Sequence, residues 1–217
     1  MTADLLREGA RTLQVALSED ALGRLHAFAA LVRATNAAIN LVSRQDIERL
    51  ETRHVLDSLA AVAVLDELVA SSPTGRHLLD VGSGGGFPGI VIAVARPDLA
   101  VVLVDRSARK VRFLERVRDQ LGLANIETRC HDVQKAPLPE RFDLITSRAV
   151  APVSVMWEWL AGNLVDQGVF VHMSFASTVQ IPQLPALPGA RVDSRELRVP
   201  GLDQPHRLTL VRHGEAA

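Results

Sequence analysis

One stretch narrows the fold of this chain more than any other: His77-Leu78-Leu79-Asp80-Val81 running into Gly82-Ser83-Gly84-Gly85-Gly86-Phe87-Pro88-Gly89, with the apolar residues 90–95 behind it. The order is strand, tight turn, helix. Glycines permit left-handed dihedrals and close backbone approach to a ligand, and the turn aims the following helix N-terminus at whatever lies there. Short β-branched runs recur at residues 100–104, 142–146 and 169–173, alternating with segments of helical character. Repeated βα units predict a parallel, doubly wound sheet. Pro182, Pro185, Pro188 and Gly189 then break the pattern, and residues 191–199 and 207–212 read as two strands joined without a helix. Such a pair is antiparallel.

The first third reads differently. Ser18 caps a helix carrying Leu22, Leu25, Phe28, Ala29 and Val32 on one face, and residues 46–69 repeat the spacing with Ile47, Leu50, His54, Leu56, Leu59, Val62 and Leu65. Both intervals are helical. Ser71, Ser72, Pro73 and Gly75 end the second helix. At 217 residues against the usual ~150 per domain, the organisation expected is a helical extension over 1–72 packed on an α/β core over 73–213, with a disordered tail at 214–217.

Composition excludes several classes. The single cysteine, Cys130, has no partner for a disulfide or a CxxC metal site, so no metal is expected and a reducing compartment, the cytoplasm, is. Its place in a strand that follows the arginine-rich helix after Asp105 predicts a core residue. The N-terminus carries acids where a signal peptide wants cations, and no run approaches the ~18 apolar residues a membrane helix needs. No membrane association and no obligate protein partner are expected, and the chain reads as a monomer. Net charge is −1, yet every one of the 24 basic residues except Lys110 and Lys135 is arginine. Arg106, Arg109, Lys110, Arg112, Arg116 and Arg118 crowd one helix, against Glu115 and Asp119. This face is either simply solvated or contacts phosphates.

The ligand of the glycine turn is not settled by glycines alone. Gly84-Gly85-Gly86-Phe87-Pro88-Gly89 satisfies G-x-G-x-x-G, the dinucleotide fingerprint, which keeps an NAD-dependent oxidoreductase as one reading. That match begins two residues late, Asp80 precedes the first glycine, and the tail ends in an antiparallel pair. Asp80-Val81-Gly82-Ser83-Gly84-Gly85-Gly86 instead resembles the loop of class I S-adenosylmethionine methyltransferases, a Rossmann-like fold. Asp105, ending the second strand, is placed to accept ribose hydroxyls in either case, or to cap the next helix before Ser107.

With Arg53-His54-Val55-Leu56-Asp57-Ser58-Leu59 upstream and Ser147-Arg148-Ala149 downstream, the resemblance narrows. Asn40-Leu41, Lys110-Val111-Arg112-Phe113-Leu114 and Val199-Pro200-Gly201-Leu202 also fit, in order and spacing. The chain resembles the bacterial glucose-inhibited division protein B family, guanine-N7 methyltransferases of 16S ribosomal RNA. The resemblance implies S-adenosylmethionine as cofactor, held by Gly82, Phe87, Val133, Gln134 and Arg148 with Asp80, Gly84, Gly86 and Asp105. It also implies 16S RNA or the small subunit as partner, and Arg148 and His54 as the catalytic pair. The chain departs from the family pattern at Thr35, Asp132-Val133-Gln134, Ser174-Phe175 and His206-Arg207. A divergent cofactor-binding, RNA-associated protein is therefore an alternative reading.

The implied chemistry agrees with what the sequence lacks. Guanine N7 attacks through a lone pair that carries no proton, so no general base is required. After Phe142-Asp143-Leu144-Ile145 there is no Asn/Asp-Pro-Pro-aromatic turn of the kind that grips an exocyclic amine. Cytosine-C5 transfer would need a nucleophilic cysteine. Asp57, three residues beyond His54, shares its helix face and is spaced to orient the imidazole. Trp157 and Trp159 are either packing residues or platforms for a splayed base.

Overall fold

The structure is a computed structural model that describes residues 2–70, 76–175 and 187–214. Helices α1 (Thr2–Thr12) and α2 (Glu19–Ile39) open the chain. The Ser18 side chain accepts from Ala21 N–H at 3.1 Å, satisfying one of the free donors of the first turn of α2. α2 stops where Asn40 turns left-handed, and the Asn36 carboxamide accepts from the N–H groups of Leu41 and Val42.

The second helical stretch is not one α-helix. A 3₁₀ turn (Ile47–Arg49) passes into a π-helical turn (Glu51–Leu56), and only then into α3 (Asp57–Ala70). Within that wide turn Glu51 points back to Arg33, with two bonds of 2.7 and 2.6 Å, while His54 and Asp57 turn to a partner far along the chain. Apolar spacing reports which face is buried; it is blind to a wider turn stabilised by distant side chains.

Five parallel strands follow: β1 (His77–Val81), β2 (Ala100–Asp105), β3 (Ile126–Cys130), β4 (Phe142–Arg148) and β5 (Leu164–Phe175), with α4 (Gly89–Ala95), α5 (Ala108–Leu121) and α6 (Val153–Leu160) between them. β6 (Ala190–Leu197) and β7 (His206–His213) complete the sheet in the order β3-β2-β1-β4-β5-β7-β6, with β7 antiparallel to both neighbours. The order reverses between β1 and β4. In open α/β sheets a crevice forms at such a reversal, beyond the carboxyl ends of the strands.

Both faces of the sheet are covered. Leu78 packs with α1 to α5, while its neighbour Leu79 packs with Met156, Trp157 and Leu160 of α6, the period of two that a doubly buried strand shows. One hydrophobic cluster runs from Leu6 of α1 through Phe28, Leu56 and Leu65 to Leu103, Val171 and Leu210. The expected boundary at 72/73 and the breakers Ser71, Ser72, Pro73, Gly75, Pro182 and Pro185 lie outside the described residues. So does the tail, except Gly214, whose N–H donates to Gly189 O at 2.9 Å. Cys130 corrects an expectation: it is exposed, because β3 is the sheet's edge strand, and its thiol lies 3.7 Å from the carbonyl of Arg106.

Candidate active site

Beyond the carboxyl ends of β1, β2, β3 and β4 lies a cavity of about 630 Å³, within the range of sites for small molecules and cofactors. Each strand delivers part of its wall: Gly82, Ser83 and Gly84 after β1, Asp105 at the end of β2, Val133 and Gln134 after β3, and Arg148 at the end of β4.

The glycine turn is fastened from behind. Gly82 and Ser83 donate N–H bonds of 2.8 and 3.0 Å to Val104 O, drawing the turn onto β2. Asp80 is fully buried; its carboxylate accepts from Thr146 Oγ1 at 2.9 Å and Gly89 N–H at 3.2 Å. Burial raises its pKa to about 6, against the pull of Ser83 and Thr146. Two residues expected at the cofactor are therefore placed elsewhere. Asp80 sits beneath the loop, where the register aligns it with Thr146, and orders the turn. Gly86 faces inward, where a Cβ would stand 2.7 Å from Ile90 and 3.0 Å from Phe28.

Gly84 is different. Its φ is +55°, and a Cβ built on it meets nothing nearer than Gly82 O at 3.6 Å, so the space in front of it is open cavity. Its N–H donates to Asp105 Oδ2 at 3.0 Å, while Ser107 N–H donates to Oδ1 at 2.8 Å. An ionised carboxylate has about four acceptor positions. Asp105 thus braces the loop and the start of α5 together and retains acceptor capacity at the cavity wall, so the capping and hydroxyl-accepting roles are compatible. An open backbone cradle, a carboxylate with free lone pairs and the apolar wall of Val133 and Val104 fit a nucleoside such as that of S-adenosylmethionine.

Across the cavity stands Arg148, its side chain 12% exposed. The guanidinium lies 5.4 Å from the ring centroid of Phe87, and Nη1 donates to Asp57 Oδ2 at 3.2 Å and to Arg53 O at 3.4 Å. Nη2 donates to His54 Nδ1 at 2.6 Å. Burial, and then the charge of Arg148, lower the His54 pKa to about 3, so the ring is neutral. Asp57 does not orient His54 as the spacing suggests; it holds Arg148 and His206 instead. The long-range partners of Asp57 lie 91 and 149 residues away, which no local spacing reveals.

Among the other wall residues, Val150, Asp46 and His131 carry no signal in the sequence pattern. Ala149 is left-handed with φ 55°, and it presents Val150, 41% exposed, above Gly82. Asp46, Leu41 and His131 also line the cavity, as does Trp159, while Trp157 is buried in the cluster beneath α6. Lys110 reaches the cavity from α5, whose Arg109 and Arg112 are exposed and form no ion pair among the described residues. Arg116 is bound to Thr35 of α2, and Arg118 to Asp119. Among the described residues no cluster of ligating side chains could hold a metal ion.

Comparison with known proteins agrees with this geometry. Residues 21–181 match the family described as rRNA small subunit methyltransferase G. The ribosomal RNA small subunit methyltransferase G of Herminiimonas arsenicoxydans is 37% identical over 217 residues, 97% of this chain and 95% of that protein. That of Polaromonas naphthalenivorans is 39% identical over 211 residues, 95% and 94% of the two chains. Among solved structures, a SAM dependent methyltransferase from Aquifex aeolicus superposes with a TM-score of 0.56 at 19% identity, covering 78% of this chain and 98% of its own. The citrinin polyketide synthase CMeT domain gives 0.57 at 14%, covering 73% and 52%. At such identities the structures speak to the fold alone, which is that of the class I methyltransferases. Membership decides what the glycine motif left open, and the dinucleotide reading falls away. The chain belongs to the rRNA small subunit methyltransferase G family, S-adenosylmethionine-dependent enzymes that methylate RNA of the small ribosomal subunit.

Proposed function

We propose that the base methylated is a guanine of 16S RNA and the atom its N7. The observation that carries this is the wall opposite the glycine loop: Arg148, neutral His54 and the Ala149-Val150 turn, where the two nearby carboxylates are already engaged, Asp57 by Arg148 and His206 and Asp46 by Ser43 and Arg53. S-adenosylmethionine, when bound, supplies an electrophilic methyl on a sulfonium centre. Asp105 would accept from its ribose hydroxyls, the Gly82-Ser83-Gly84 backbone would lie along it, and Val133 and Gln134 would border its base. N7 carries no proton, so the work left to the protein is alignment. An arginine forked onto both O6 and N7 would block the nucleophile. Arg148, with Nη1 engaged by Asp57 and Arg53 and Nη2 by His54, is restrained from that role and serves to position.

The exposed arginines of α5, beside the cavity, are assigned to the RNA backbone, where phosphate contacts fix register without reading sequence. Residues 1–72 are read as a helical extension packed on the 73–213 core, with residues beyond as a tail. We read the enzyme as a cytoplasmic monomer; no described helix is long and apolar enough to cross a membrane. Mass mapping of 16S RNA from cells lacking the gene, before and after supplying it back, tests the assignment. The expected result is one guanine that loses and regains a methyl group, at a site where borohydride reduction followed by aniline cleaves the RNA, the lability that a positively charged N7-methylated purine confers. A methyl found on an exocyclic amine or on cytosine would overturn it.

A further inference from the structure

A buried line of four side chains runs from the last strand to the cavity wall. His206, at the start of β7 and 4% exposed, donates through Nδ1 to Asp57 Oδ1. Asp57, 2% exposed where the π turn passes into α3, accepts from Arg148 through its other oxygen at 3.2 Å. Arg148 donates to His54 at 2.6 Å. Guanidinium groups have no acceptor, so the nitrogen of His54 that faces Arg148 must be the bare one. The proton of the neutral ring then sits on Nε2.

That nitrogen is buried and has no hydrogen-bond partner among the described residues; the group it faces, Asp46 Oδ2, lies at 3.8 Å, beyond bonding reach. A buried donor left unpaired is costly, and such groups call for an explanation. Here the donor belongs to a ring that lines the cavity together with Asp46, and because the nitrogen itself has no exposed surface, a base meets it only as the His54 ring or Asp46 shifts when the site fills. Its tautomer is not intrinsic to His54, because it follows from the direction of the Arg148 fork, and the fork is held by Asp57. Asp57 in turn has one oxygen for Arg148 and one for His206. Beside the line is a void of only about 10 Å³, bordered by Asp57, Arg148, Ser174 and His206, so there is little room for the fork to move in that direction, and its bonds to Asp57 and Arg53 hold it on the cavity side.

We propose that Asp57 and His206 are positioning residues for methyl transfer: by holding the guanidinium of Arg148 they lock His54 in the Nε2–H tautomer, which presents a single neutral donor to an oxygen acceptor on the target base. This rests on the reading that Arg148 and His54 face a guanine. A one-pronged donor satisfies O6 while leaving N7 open, and it adds no charge beside a ring that becomes positive. Adenine offers a donor at the equivalent place and is refused.

The test uses the full chain labelled with ¹⁵N-histidine and long-range ¹H–¹⁵N spectra, beside calorimetric S-adenosylmethionine binding and single-turnover methylation of small-subunit RNA. Wild type is expected to hold His54 in the Nε2–H form. Asp57→Asn, which keeps the shape but not the charge, is expected to mix the tautomers and to slow single turnover by roughly 10- to 100-fold, with cofactor affinity unchanged. His206→Ala is expected to do the same, whereas His206→Asn, which retains a donor near the Nδ1 position, restores both readings. An unchanged His54 tautomer with an unchanged rate in Asp57→Asn overturns the proposal. If that variant fails to fold, the His206 pair decides: equal loss in Ala and Asn removes His206 from the role. Full single-turnover rate in Arg148→Ala would instead sink the reading of the cavity, whatever the tautomer spectra give.

Discussion

At the scale of single residues, the cavity is defined by atoms that are missing as much as by those present. Gly84 alone in the turn combines a left-handed φ with open space toward the cavity. Gly84→Asp therefore puts strain, bulk and negative charge where a ligand approaches the backbone, and calorimetry is expected to find no S-adenosylmethionine binding to a variant whose circular dichroism is native. Retained wild-type affinity would move the ligand off this loop. Two buried titratable groups make opposite demands on pH. His54 falls to about 3 in the folded protein from the usual 6.5, so its contribution to stability is present above pH 6.5 and is lost as pH falls toward 3. Asp80 rises to about 6 from 3.8, so its contribution is fully present below pH 3.8 and is lost as pH rises through 6. Between pH 4 and 6 the slopes offset, each about 1.4 kcal/mol per pH unit. His54→Gln removes one of them. Urea unfolding at pH 4.5, 5.5 and 7 is expected to give a wild-type-minus-variant difference that shrinks by about 1.4 kcal/mol for each unit of acidification below 6. Parallel pH profiles would mean that His54 is not held neutral.

At the scale of elements, legibility follows locality. The β1 strand, its glycine turn and the cap at Ser18 are readable because each is fixed by neighbours in sequence. The π turn at Glu51–Leu56 is not, since it is stabilised by Arg33 and Arg148 from other elements. Edge and centre of a sheet are likewise indistinguishable before the strand order is known, which is why the pattern places Cys130 inside. Helix α1 turns Leu6 and Ala10 inward four residues apart, whereas the reason for Gly9 is not local: a Cβ there would stand 2.4 Å from Leu56. Helix α5 is legible as basic, but which of its arginines are committed within the protein depends on Thr35 and Asp119. Arg109→Ser with Arg112→Ser is expected to weaken RNA binding across sequences. Its log–log salt slope should flatten by about one unit for each phosphate that the variant no longer neutralises. An unchanged slope in a salt titration would leave these arginines as a solvated face.

At the scale of the molecule, the site is an outcome of how the extension and the sheet share a core. Asp57 and His54 come from the N-terminal helices, Arg148 and His206 from strands of the sheet, and the line they form exists only while the two parts are docked. The apolar cluster that docks them begins at Leu6, which is fully buried, and passes through Leu56, immediately before Asp57. Folding of extension and core is therefore expected to be one cooperative event, and damage at the far end of α1 should reach the cavity through Leu56. Leu6→Ala removes a buried side chain from that cluster at a cost of roughly 2–5 kcal/mol. For a chain of this length the melting temperature should fall by roughly 5–15 °C, in one transition seen alike by far-ultraviolet dichroism and tryptophan fluorescence. Trp157 and Trp159 report from α6, on the opposite face of the sheet from α1, so coincident transitions would tie both faces to the same event. Two separated transitions, the dichroism falling first and the fluorescence later, would show that the extension melts independently and that the His206 to His54 line is assembled by docking rather than by folding.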